Sequence, residues 1–143
     1  MGIGRADFTA TAYIALIGLI LPFAANSIGG LVNGFPPEQY WVVSHYNPQI
    51  NCGGIIFIIL SDCFAVGAAS ASRLTLYRAG RVMQLIPTFL GYGLLVLCHY
   101  NIDLGSDAQA GIAVVFAPFS AALVVAAATS AVLFLNQLAV RRR

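Results

Sequence analysis

Four long apolar stretches dominate this chain, and almost no charge interrupts them. They run from about Phe8 to Val32, Gly53 to Ala71, Val82 to Tyr100 and Ala110 to Leu138. An α-helix rises ~1.5 Å per residue, so about 20 such residues cross the ~30 Å hydrocarbon layer of a bilayer. None of the stretches alternates polar and apolar residues as the strands of a membrane barrel do. A spanning segment must also satisfy its own backbone hydrogen bonds, which leaves helices. The expectation is an all-α integral membrane domain over residues 1–143, a four-transmembrane-helix antiparallel bundle.

Composition removes the alternatives. Apolar types make up 59% of the chain and charged types 8%, against about 45–50% and about 25% in soluble domains. So few charges leave a soluble surface uncovered. Disorder needs the opposite balance. Three cysteines are too few for a disulfide scaffold, and a net charge of +2 is too small for a nucleic-acid module.

Charge placement orients the bundle. All seven basic residues are arginines: Arg5, Arg73, Arg78, Arg81, Arg141, Arg142 and Arg143. With four spans, the N-terminus, the link between the second and third helices and the C-terminus share one side, and every arginine falls there. The other two links carry Glu38, Asp103 and Asp107 and no basic residue. The positive-inside rule then expects both termini in the cytoplasm, in a bacterial inner membrane or an organellar membrane. The stretch from Phe8 to Val32 exceeds the apolar core of about 7–15 residues in a cleaved leader, and Phe23 occupies the place of a small cleavage-site residue. A retained span is expected.

The links suit this plan. Asn33–Asn51 holds Asn33-Gly34, Pro36-Pro37 and Asn47-Pro48, all turn formers. Ser72–Arg81 is short and ends in Ala79-Gly80, as antiparallel neighbours require. Tyr40, Trp41 and Tyr46 in the first link are the aromatics of a headgroup-level belt, and that link is long enough to dock a partner.

Helices in lipid associate through close backbone approach at small residues rather than through a hydrophobic drive. The fourth stretch carries two such lines, Ala113, Ala117 and Ala121, and Ala122, Ala126 and Ser130; the second has Gly67 and Ala71. Two lines on one helix call for partners on two sides, which a four-helix chain satisfies only in part. Pro118 is expected to bend the fourth helix.

Asp62 is the first candidate site, because an ionised carboxylate at mid-membrane costs about 2.5–3.5 kcal/mol even on the lenient insertion scale. Depth-matching across the bundle sets it beside Tyr92, with Thr88 one turn below. The functional reading is a proton or cation relay; the packing reading is an interhelical hydrogen bond. Asn26 is expected either to line a pathway or to bond across to another helix. Cys52 and Cys98 both fall near the outer surface, where a disulfide would tie the second and third helices, while Cys63 is expected to fill space as an apolar residue. His45 and His99 also fall on that side, but no spacing typical of a metal or haem site accompanies them. Arg78 and Arg81, three apart, are expected to share a helical face and hold a lipid phosphate at the inner surface. Asp103 and Asp107 lack the spacing of a calcium loop.

No nucleophile–base pair, metal-ligand set or nucleotide motif appears, so an enzyme is not expected. The reading with fewest assumptions is a small tetra-spanning accessory or structural subunit. It packs against other integral membrane subunits in a hetero-complex and against membrane lipids, with pigments as a further class of contact and no cofactor specified by the residues. The alternative is a homo-oligomeric ion- or proton-coupled transporter or channel that uses Asp62.

Overall fold

The computed structural model describes residues 5–34, 52–101 and 110–141, without the side chains of 5, 6, 52–59, 110, 111 and 114. Four helices form a packed all-α bundle: α1 (Arg5–Asn33), α2 (Cys52–Thr75), α3 (Arg81–Tyr100) and α4 (Ala110–Arg141). α1, α3 and α4 are long and apolar enough to cross a membrane. The expected fourth span, α2, has only its residues from 60 onward described at side-chain level.

The helices overrun the apolar stretches at their polar ends. Asp7 stabilises the first turn of α1, where a carboxylate faces the positive end of the helix dipole. α2 continues four residues past Ala71 because Arg73 complements the last turn and the Thr75 hydroxyl donates to the Ala71 carbonyl at 2.8 Å. The α2–α3 link therefore shrinks to residues 76–80. Ala79 N–H donates to Leu76 O at 2.8 Å, and the Gln84 side-chain amide reaches back to Ala79 O at 2.9 Å and Tyr77 O at 3.3 Å. Gln84 thus satisfies carbonyls that the turn leaves open.

Cross-helix contacts set the directions. Tyr92 meets Ile14, and His99 meets Asn26, so α1 and α3 run parallel. Phe64 packs on Phe119 with ring centroids 5.2 Å apart, and Ser72 bonds Thr129 at 2.6 Å, so α2 and α4 also run parallel. The tight link turns α3 back against α2. α2 and α3 each touch both α1 and α4 and also each other, whereas α1 and α4 sit at opposite corners, hardly in contact.

The core is built of small side chains. Ala65, Leu95, Ala117 and Ala121 form its central layer, joined by Cys98, with Ala25, Ala69, Ala122 and Val125 also buried. Large apolar groups face outward instead, such as Phe89 at 78% exposure and Leu123 at 72%. Water would penalise that surface, whereas hydrocarbon does not. Pro22, Pro87 and Pro118 are each fully buried inside a helix. Each lacks the N–H that would bond the carbonyl four residues back.

Gly29 permits the tightest approach of α1 to α3. A Cβ there would overlap the backbone carbonyl of Tyr100. On α3, a Cβ at Gly91 would run into Val125 of α4.

Candidate functional site

The half of the bundle where α1 and α3 end, called here the far half, holds four of the buried polar residues. Asn26, Ser61, Asp62 and His99 are all buried there, Asp62 at 2% exposure and His99 at 0%. Helical phase brings them inward. Asp62 and Ser61 precede core residue Ala65 by about one turn, so all three share the buried face of α2. On α3, Thr88, Tyr92, Leu95 and His99 recur at steps of four, three and four and occupy one buried face.

Hydrogen bonds fix part of this layer. Asn26 donates from Nδ2 to the His99 carbonyl at 3.3 Å, tying α1 to α3. His99 Nδ1 lies 2.8 Å from Leu95 O; a carbonyl only accepts, so Nδ1 carries the proton in this bond. The Asn26 bridge is of the cross-helix kind expected for that residue.

Tyr92 departs from the depth-matched pairing with Asp62. Its hydroxyl donates to Ile14 O of α1 at 3.0 Å, and a phenol has a single proton to give. The approach is possible because Gly18 leaves room: a Cβ there would overlap the Tyr92 hydroxyl and crowd Val66. Val66 marks the level of Tyr92 on α2, and Asp62 lies one turn farther toward the far half. Equal counting along straight helices put the two at one depth; the close approach at Gly18 fixes a different register.

Thr88 is also buried, and its hydroxyl has no hydrogen-bond partner. It lines an apolar cavity of about 430 Å³ between α1 and α3, together with Ile14, Ile17, Leu85, Phe89 and Tyr92.

The remaining candidates are dispersed. Cys98 is half-buried with a free thiol, and the side chain of Cys52, its expected disulfide partner, lies outside the described residues, as do His45, Glu38, Asp103 and Asp107. Cys63 is exposed on the outer face of α2 rather than filling the core. Arg78 and Arg81 do not share a helical face: Arg78 stands in the link and Arg81 opens α3. Arg78 instead stacks on the Tyr77 ring at 5.2 Å, with Nε donating to the Tyr77 hydroxyl. Both arginines are exposed.

The two small-residue lines of α4 part company. Ala117, Ala121 and Ala122 are buried, whereas Ala113, Ala126 and Ser130 are exposed. On α2 the Gly67 and Ala71 pair likewise faces out, and Ala65, Ala69 and Ser72 pack inside.

Sequence reasoning missed Ser61 altogether and read His99 as a surface group. The step pattern from Thr88 to His99 was the available signal for the histidine. Chemically, the described residues of the far-half layer offer one carboxylate, one imidazole and neutral hydrogen-bonding groups, all buried. Among the described residues, no three His, Cys, Asp or Glu side chains converge as a metal site would need. Comparison with known protein families, with characterised proteins and with solved structures finds no match to this chain.

Proposed function

We propose that this chain is a membrane-embedded accessory subunit of a larger hetero-assembly, without catalytic activity of its own. In this reading all four helices cross the bilayer, and both termini and the α2–α3 link lie on the cytoplasmic side of a bacterial inner membrane or its organellar counterpart. The grouping of the seven arginines supports that orientation.

The observation that carries the subunit reading is the outward direction of small residues. Gly67 and Ala71 on α2, and Ala126 and Ser130 on α4, repeat at the four-residue spacing that brings helix backbones together, yet they point away from their own bundle. A Cβ added at Gly67 meets nothing within 4 Å. A helix from another subunit fits such a face closely. Native mass measurement after gentle extraction tests it. A hetero-complex that Ala126→Leu or Gly67→Leu disrupts is the expected result, and a lone 15.1 kDa chain overturns it.

Asp62 supports a second reading, a homo-oligomeric ion- or proton-coupled transporter. Its carboxyl is buried in the same half as Asn26, Ser61 and His99. Intramembrane carboxylates mark ion and proton pathways more often than they serve packing alone. Flux in reconstituted vesicles that Asp62→Asn abolishes, with assembly intact, favours this reading; intact assembly with no flux in the native protein dismisses it.

A further inference from the structure

We propose that the cavity between α1 and α3 is a lipid site that holds one acyl chain of a phosphatidylethanolamine, with Arg81 on its phosphate and Asp7 on its ammonium group. The proposal goes beyond the subunit and transport readings. It rests only on α1 and α3 lying in a bilayer, for which both are long and apolar enough.

The walls select a hydrocarbon chain. Ile14, Ile17 and Leu21 of α1 and Leu85, Phe89 and Val96 of α3 line about 430 Å³, within the range of ligand cavities. The two hydroxyls of the wall are not offered to an occupant. That of Tyr92 gives its proton to Ile14 O, and that of Thr88 is wholly buried. A ligand rich in polar groups would lose its hydrogen bonds here, whereas an acyl chain has none to lose. Ile17, Leu85 and Phe89 are exposed at the rim, so a chain enters sideways from the bilayer.

The length fits one leaflet. From Leu85 to Val96 the groove runs about 16 Å along α3 at 1.5 Å per residue. Half of the hydrocarbon layer is about 15 Å. The headgroup of a lipid seated here lies beyond Leu85, toward the start of α3.

The charges at that end match the headgroup. Arg81 is exposed one turn before Leu85 on the same line of α3, and Asp7 stands two turns before Ile14 on the same line of α1. Gly29 lies against Tyr100, so each α1 residue is level with the α3 position 71 further on: Ile14 with Leu85, Leu21 with Tyr92. By that register Asp7 stands three residues, about 4.5 Å, farther out than Arg81. Phosphatidylethanolamine carries its charges in the same order, the phosphate nearer the chains and the ammonium beyond it. Arginine suits the phosphate, and the ammonium N–H groups suit a carboxylate. Phosphatidylcholine has no ammonium N–H to donate, and phosphatidylglycerol has no cation.

The test is native mass spectrometry of the full chain, released from micelles that hold dioleoyl phosphatidylethanolamine, phosphatidylcholine and phosphatidylglycerol in equal amounts. The chain should retain one phosphatidylethanolamine in preference to the other two. Arg81→Gln should weaken that retention about fivefold, the contribution of one arginine near a lipid headgroup. Arg78→Gln should not, because Arg78 stands in the link and stacks on Tyr77. Asp7→Asn should erase the preference over phosphatidylcholine. Gly93→Leu should block the chain, since a Cβ there meets no atom within 4 Å and the larger side chain occupies the groove it lines. Equal retention of the three lipids overturns the proposal, and so does an equal effect of the Arg81 and Arg78 variants. A phosphatidylethanolamine with a diazirine in its acyl chain tests the unaltered protein: cross-links should fall on residues 14–21 and 85–96. Cross-links spread evenly over other exposed apolar side chains, such as Leu123 and Phe134, overturn the site without any variant having to fold.

Discussion

Adding a single methyl group at Gly29 should separate α1 from α3, whereas the same change at Gly67 should not disturb the bundle. At Gly29 the new Cβ overlaps the Tyr100 carbonyl, a backbone atom that no rotamer change can move aside. Overpacking of this kind costs about 1–3 kcal/mol. If the helices part, the Asn26–His99 bond is also lost, at about 0.6 kcal/mol for an average polar contact within a membrane bundle. Replacing glycine by alanine inside a helix returns about 0.5–1 kcal/mol. The balance for Gly29→Ala is a loss of about 1–3 kcal/mol, more than a tenfold fall in the folded ratio over most of that range. At Gly67 only the last contribution applies, so Gly67→Ala should leave the isolated chain unchanged or gain up to about 1 kcal/mol. Reversible unfolding in mixed micelles, followed by circular dichroism, measures both. A Gly29→Ala protein as stable as the parent would refute the close approach and the reasoning built on it.

Two further outcomes follow from the hydrogen bonds. A double-mutant cycle on Ser72→Ala and Thr129→Val should show coupling of about 0.6 kcal/mol, up to about 1.7, in the same assay; zero coupling would detach α2 from α4 at that point. Gln84→Leu should leave the Ala79 and Tyr77 carbonyls without their side-chain donor, and protease cleavage in the link at residues 76–80 should accelerate; an unchanged cleavage rate would contradict the brace.

The helices were legible in the sequence because the solvent they imply tolerates little else. Their ends were less so: at Arg73 and Thr75 charge and side-chain-to-backbone bonding extend α2 beyond its apolar run. Which face of each helix packs inward was mostly hidden. In a soluble bundle polarity marks the outside, but here Leu90 is exposed and Leu95 buried on one helix, and Ala126 is exposed while Ala122 is buried. Polar residues are the better guide, since hydrocarbon drives them inside. Asn26 and Asp62 were visible on that ground. His99 was not, because a histidine at the end of an apolar run reads equally as a headgroup contact until Leu95 and Tyr92 are seen to share its face.

The central claim is that hydrocarbon surrounds this bundle, with α2 crossing as the fourth span. Single cysteines at Glu38 and at Arg78, in a chain whose native cysteines are replaced by serine, can be labelled from either side of sealed vesicles. The account predicts that an impermeant thiol reagent reaches Glu38→Cys from one compartment only and Arg78→Cys from the opposite one. Labelling of both from the same compartment would mean that α2 does not cross, contradicting the four-span topology.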